Sequence, residues 1–328
     1  MRSGGPARAP RRGFARRAFV LVLAAAAGAC GRPREPRVTV YVSMDEHVAR
    51  PVLAAFERES GIRVDALYDS EAAKTTGLAA RLRQERSAPQ ADVFWSSEQA
   101  QSGALAREGI LATEESQWQP CLRRTRVLVW RRGGPAPPAS WWELLAWAAG
   151  RRIGMADPRF GTTGVHMGAM LANAEARGTP EAFTAWCEGM HAAGVTVLPS
   201  GNAGVVRAVL AGEIDAGLTD SDDVAAAARE GAALEWRSLS LAPDGAAPVV
   251  MAGVAAVVRG GPNAEAGRRL AHYLGSREVQ ESLARAAPGF EPAPPGPPDA
   301  ERAASERSPD AVRIFMESAT RRTKAPPA

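Results

Sequence analysis

The chain of 328 residues has only three cysteines, four histidines and three tyrosines, and each scarcity closes off a class of chemistry. No C-x-x-C pair is present, so neither a zinc knuckle nor a dithiol redox centre can be read from it. His47, His166, His191 and His272 stand at no metal-ligand spacing, and H-E-x-x-H and G-x-S-x-G are both absent. His166, on a helix face, reads as packing or surface. Beyond the leader there is no apolar run long enough to span a bilayer. A basic patch for nucleic acid is also missing. The whole chain carries 40 Lys+Arg against 36 Asp+Glu, but six of the arginines lie in the first 29 residues, and without them the balance is 34 against 36.

That leader is the first positive feature. Arg2, Arg8, Arg11, Arg12, Arg16 and Arg17, with no acidic residue, precede the apolar run Ala18 to Ala27. A basic stretch, a short apolar stretch and small residues describe an export signal, here residues 1–29. Ala27-Gly28-Ala29-Cys30 resembles a bacterial lipobox, which makes Cys30 a lipidated first residue, with ordinary cleavage near Ala29 as the alternative. Arg11-Arg12-Gly13-Phe14 and Arg16-Arg17-Ala18-Phe19 resemble twin-arginine motifs, so Sec and twin-arginine export both stay open. Either route places the mature chain on the periplasmic or outer face of the cell membrane. Residues 30–37 then read as a tether. Cys121 and Cys187 remain, as a disulfide or as two separate buried thiols.

The rest alternates strand and helix patterns. Val38–Val42, Ile62–Tyr68 and Ala91–Trp95 read as strands, and Val48, Val52, Ala55 and Phe56 recur at helical spacing between the first two. Helices follow at Lys74–Arg86 and Glu98–Arg107. Arg126–Trp130 is a strand, and Ser140 to Glu143 has the spacing of a capping box. Strands Ile153–Ala156, Val195–Leu198 and Ile214–Leu218 alternate with helices from Thr162, over Pro180–His191, Ala203–Leu210 and Val224–Arg229. Pro248–Val258 is apolar enough for a fully buried strand. Two helices, Asn263–Leu274 and Ser276–Arg285, an irregular Pro288–Pro298 connection and a helix over Asp310–Thr320 complete the chain. The pattern predicts an α/β fold with parallel sheets.

Polar turns end several of these strands on one side. Asp45 and Glu98 fall just past the first and third strands. Gly161, Thr162 and Thr163 open a helix whose free N–H groups and hydroxyls suit an anion. Asn202 follows another strand. Thr219-Asp220-Ser221-Asp222-Asp223 gathers five oxygen-bearing side chains at a strand end, where ligands bind in open α/β sheets. The plainer reading treats these as turn and cap residues, with Asp222 and Asp223 favoured by a helix dipole.

The stretches V-T-V-Y-V-S-M-D-E, A-F-E-R-E-S-G-I-R-V, Y-D-S-E-A-A-K-T-T-G-L, A-D-V-F-W-S-S-E, F-G-T-T-G, G-E-I-D-A-G-L-T-D-S-D-D and Y-L-G-S-R-E-V-Q, in this order, resemble the iron(III)-type extracellular solute-binding proteins of bacterial ABC importers. The resemblance implies a two-lobed type II periplasmic binding protein fold, each lobe a doubly wound sheet with crossover strands as hinge. It implies lobe 1 over 38–125 and again 248–288, lobe 2 over 126–247, and a proline-rich connection with a C-terminal helix over 289–328. It also implies a non-enzymatic, monomeric carrier that hands its solute to permease subunits in the inner membrane. In the ferric members a histidine, a glutamate and two adjacent tyrosines hold the metal, with an anion completing the shell. Carried over, the glutamate falls on Glu98 and the histidine position on Asp45, with His47 close by. The anion turn falls on Gly161, Thr162 and Thr163, with Asn202, Asp220 and Ser221 as further ligand-binding candidates. Asp222 and Asp223 stand where the tyrosines should be, and Tyr41, Tyr68 and Tyr273 lie elsewhere.

The metal set expected here is therefore Asp45, Glu98, Asp222 and Asp223, an oxygen cage suited to a hard cation such as Fe(III). No catalytic cofactor is expected. A rival reading keeps the fold and takes a small organic ion such as a phosphorylated sugar, phosphonate or polyamine. A secreted metal-dependent hydrolase and a ligand-reporting signalling module complete the alternatives.

Overall fold

In R-V-T-V-Y-V every residue after the first carries a bulky or β-branched side chain, and Val38, Val40, Tyr41 and Val42 are buried on both faces of strand β1 (Arg37–Val42). The computed structural model describes residues 35–69, 76–97, 99–114, 116–241, 248–293 and 299–322. The export signal, Cys30 and Glu98 lie outside the described residues, and all that follows concerns the unit Arg37–Ala328. After β1 come α1 (Glu46–Ser60), β2 (Arg63–Tyr68), α2 (Thr76–Gln84), β3 (Val93–Ser96) and α3 (Gln99–Arg107). α1 stops at Gly61, whose φ of 68° is a left-handed cap.

β4 (Trp118–Arg131) is far longer than the expected Arg126–Trp130. Its first half, rich in arginine and interrupted by Pro120, does not look like a buried strand in sequence. Then follow α4 (Leu144–Ala148), β5 (Ile153–Ala156), α5 (Thr162–Ala176), α6 (Pro180–Ala192), β6 (Thr196–Leu198), α7 (Gly201–Ala211), β7 (Ala216–Asp220) and α8 (Ser221–Arg229). The capping box at Ser140 does not form: α4 is a short helix beginning at Leu144, and the Ser140 hydroxyl accepts instead from Trp142 N. β8 (Leu234–Ser238), β9 (Val250–Val257), α9 (Ala264–Gly275), α10 (Arg277–Ala286), β10 (Phe290–Glu291) and α11 (Asp299–Arg322) end the chain. The expected irregular Pro288–Pro298 connection thus contains a short strand paired with β4. The last helix begins eleven residues before Asp310 and carries Pro309 inside it.

The strands follow the order β2-β1-β3-β9-β4-β7-β5-β6, with β8 and β10 also on β4. β1, β2 and β3 are parallel, as are β5, β6 and β7, while β9 runs antiparallel between β3 and β4. β4 changes sheets along its length. Thr125 pairs with Val250 of β9, and the next residue, Arg126, pairs with Asp220 of β7. Each sheet is covered on both faces. Phe56, Trp95, Leu274 and Leu283 pack on one side of the first sheet, and Leu82, Phe94 and Leu105 on the other. Trp141, Met170, Phe183 and Phe315 cover one face of the second sheet, and Val205, Val209 and Val224 the opposite one.

Asp92, the acid of A-D-V-F-W, is a fastener in the first sheet. Its carboxylate accepts from Thr39 N at 2.8 Å and Asn263 N at 2.6 Å. Cys121 and Cys187 are free thiols, each buried in the core of a different sheet. Burial pushes both up to about 12. Among the described residues no helix is long and apolar enough to cross a membrane.

Candidate functional site

Strand ends of both sheets face one cavity of about 600 Å³. The turn after β1 brings Ser43 and Asp45, the turn after β3 brings Ser97, and the turns after β5, β6 and β7 bring Gly161, Asn202 and Asp222. Asp45 occupies the N-cap of α1, yet its side chain makes no cap hydrogen bond, so helix capping does not account for it. His47 is exposed and lines no part of the cavity. Glu98 falls outside the described residues, between Ser97 and the cavity-lining Ala100. α5, α7 and α8 all begin here, adding the positive ends of three helix dipoles. Gly161 has φ 62° and ψ −150°, a conformation open essentially to glycine alone, which turns the chain sharply into α5. The Asp157 carboxylate, held below its usual range by the Arg159 side chain, fixes the same turn.

At the centre is a residue the sequence pattern did not flag. Arg126 is fully buried on β4. Its Nη1 lies 2.8 Å from Asp220 Oδ1, 3.1 Å from Asn202 Oδ1 and 3.3 Å from Thr162 Oγ1, and its Nη2 lies 3.4 Å from Thr163 Oγ1. Asp220 Oδ2 in turn accepts from Thr162 Oγ1 at 2.7 Å and Asn202 Nδ2 at 2.8 Å. A buried guanidinium needs acceptors, and it takes the groups that were expected to bind an anion. The side chains of Thr162, Thr163, Asn202 and Asp220 are thus engaged by Arg126 and by one another, while Thr162, Asn202 and Asp220 also line the cavity. Gly161 and Thr162 line the cavity at the start of α5, whose first backbone N–H groups suit an anion. Ser221 is also used structurally, accepting from Thr125 N at 3.0 Å and donating to Gly289 O at 2.6 Å, and it does not line the cavity.

Arg124, two residues earlier on the same strand face, sits 3.3 Å from Asp220 Oδ2 and 3.1 Å from Asp222 Oδ2, with Phe290 beneath its guanidinium. Burial tends to raise Asp220, but the guanidiniums of Arg126 and Arg124 outweigh it and hold the carboxylate below its usual range. Asp222 and Asp223 go the other way. Burial, reinforced by the neighbouring carboxylates, raises Asp222 and pushes Asp223 up to about 8. Carboxylate oxygens of Asp220, Asp222 and Asp223 lie within 4.8 Å of one another. Asp222 Oδ1 is buried with no hydrogen-bond partner among the described residues. Asp222 and Asp223 therefore have ligand capacity that Asp220 lacks.

The sequence held a signal for the two arginines. Three aspartates at one strand end require counter-charges, and Arg124-x-Arg126 places two on one face of the strand that pairs with them. His166 is buried with its ring 4.2 Å from that of Trp141, and burial, then the charge of Arg126, holds it well below its usual value. It packs.

Residues 38–290 match the family model of the bacterial extracellular solute-binding proteins. The chain is 27% identical over 284 residues to the major ferric iron-binding protein of Neisseria meningitidis serogroup B, covering 80% of this chain and 82% of that one. Its fold matches that of iron-bound HitA from Pseudomonas aeruginosa with a TM-score of 0.67 at 20% identity, over 86% of this chain and 99% of the other. A Trichodesmium protein solved in complex with iron and citrate gives a TM-score of 0.70 at 17% identity, again over 86% and 99%.

Proposed function

The chain belongs to the bacterial extracellular solute-binding proteins, and from that membership we propose that it captures a metal ion, Fe(III) with a companion anion, and delivers it to an ABC permease. Its fold is the two-lobed type II periplasmic binding protein fold. In this reading it is a lipid-anchored monomer, tethered through Cys30, and no bond is made or broken in its work. The lobes at 38–125 with 248–288 and at 126–247 close on the solute, with β4 and β9 at the hinge.

The observation that carries the reading is the meeting of Asp45, Asp222 and Asp223 at one cavity, ringed by helix N-termini. Asp222, Asp223, Asp45 and Glu98 are the proposed cation ligands, and Asp220 with Arg126 is the frame that holds them. The backbone of Gly161 to Thr163 is the proposed anion seat. Relatives named as ferric iron-binding support iron as the cation. None of the three tyrosines lines the cavity, so the ligand set is carboxylate-based.

A second reading has its own observation. Phe160, 63% exposed, and Arg159 stand at the cavity beside Arg124, a surface suited to a small anionic organic solute. Native mass spectrometry with elemental analysis, on protein purified from the cell envelope without chelators, separates the two. Stoichiometric iron is expected; an organic mass without metal overturns the cation reading. Small-angle scattering provides the functional check, since replacing Glu98 and Asp222 together by alanine is expected to abolish cation-dependent compaction.

A further inference from the structure

The last helix lies beyond the family-matched segment, and the cation reading makes no use of it. Its two contacts differ in character. Along α5 it is close-packed. A Cβ on Gly168 would run into the Ala304 carbonyl oxygen and lie 2.7 Å from Ser308 N, and one on Gly164 would lie 3.0 Å from Ser308 Oγ. These glycines let the two helix backbones touch. Ala304, Ala311 and Phe315 then enter the core of the second sheet. The Phe315 ring lies 4.2 Å from that of His191, and Arg307 pairs with Glu175 at 2.7 Å.

α11 also contacts α3, an element of the first sheet. A groove of about 270 Å³ runs there, with Gln99, Gly103, Ser305 and Glu306 among its walls. Gln99 Nε2 and Ser305 Oγ are buried without a hydrogen-bond partner among the described residues. Pro309, one turn on, has no N–H to give to the Ser305 carbonyl. Buried polar groups left unpaired weigh against a contact and are hydrated when it parts. Beside this weak seam, Ser308, Pro309 and Val312 form a wall of the solute cavity.

We infer that α11 is a latch and a solute-contacting wall: it is anchored to the second sheet, it closes the cavity by resting on α3, and it lets go of α3 to admit the solute. The inference rests on reading the cavity as a solute site. A solute held between Ser308 and Val312 on one side and Ser43, Asp45 and Ser97 on the other offsets the poor α3 contact. The latched form is then favoured when the cavity is filled. Separation occurs at α3, because the α5 side is packed backbone against backbone at Gly164 and Gly168 and is tied by the Arg307–Glu175 pair.

The test uses nitroxide labels at Arg107→Cys on α3 and Asp310→Cys on α11, both exposed positions, with distances read by pulsed electron paramagnetic resonance. Without solute, a short and a long distance are expected, and ferric citrate shifts the distribution to the short one. Ser305→Ala removes the orphaned hydroxyl and enriches the short distance without any solute. Ser305→Glu places a charge in the seam and depletes the short distance about tenfold or more. One unchanged distribution in all three proteins overturns the latch. Distances that respond to residue 305 and not to ferric citrate support the latch and overturn the cation reading, so the two failures are distinct.

Discussion

Arg126 is a guanidinium without solvent, and its removal shows what the network is worth. Arg126→Met leaves Asp220 buried with its main counter-charge gone, and a loss of about 3–5 kcal/mol in urea unfolding is expected. Pairing it with Asp220→Leu is expected to recover a large part of that loss, because an apolar pair replaces an ion pair more cheaply than a lone charge can be endured. Asp223 has the opposite problem. Its folded value of about 8 stands above the ordinary 3.8. Between these values the folded chain keeps a proton that the unfolded chain has released, so the solute-free protein loses stability as pH rises through the window. Asp223→Asn is expected to flatten that slope in thermal melts and to raise the midpoint at pH 8 by roughly 2–4 °C for each kcal/mol recovered. It is also expected to weaken cation binding, since the amide is a poorer ligand.

At the scale of elements, glycine position decides how α11 sits. Gly168→Ala forces the α5 and α11 backbones apart, with an expected loss of about 1–3 kcal/mol and faster amide exchange along α11. Gly103→Ala on α3 meets only Arg107 Nη1 at 3.6 Å, and a gain of up to about 1 kcal/mol is expected from helix propensity alone. Elements whose pattern is local were legible in the sequence: β5 and β9 declare themselves as unbroken apolar runs, β1 and β3 as apolar runs interrupted only at Thr39 and Asp92, and α1 by its period and Gly61. The turns that reach the cavity were legible too, because Asp45, Gly161, Asn202 and Asp222 follow strand ends. What was not legible depends on partners far along the chain. The first half of β4 carries Arg123 and Arg124, whose charges are matched by Glu291 and by Asp220 with Asp222. β8 and β10 are short and gain their order from β4. For the same reason Thr162 and Asn202 looked free: nothing local announces that Arg126 engages them.

At the scale of the whole molecule, β4 runs through both sheets and joins them, and cooperative unfolding of the two is expected. Cys121 lies in the first-sheet core and Cys187 in the second. With both thiols pushed up to about 12 by burial, neither is expected to react with a maleimide in the native protein. Both are expected to become reactive at the same urea concentration, and labelling by mass spectrometry at two separate midpoints would show two independent lobes instead. The order of the strands has a further effect during synthesis. β9 lies between β3 and β4, so Trp95 must wait for Ala255 before its strand has two neighbours. An emerging chain therefore lacks the strand that joins β3 to β4 until three quarters of it has left the ribosome. The first sheet can therefore be completed only after every strand of the second has been made.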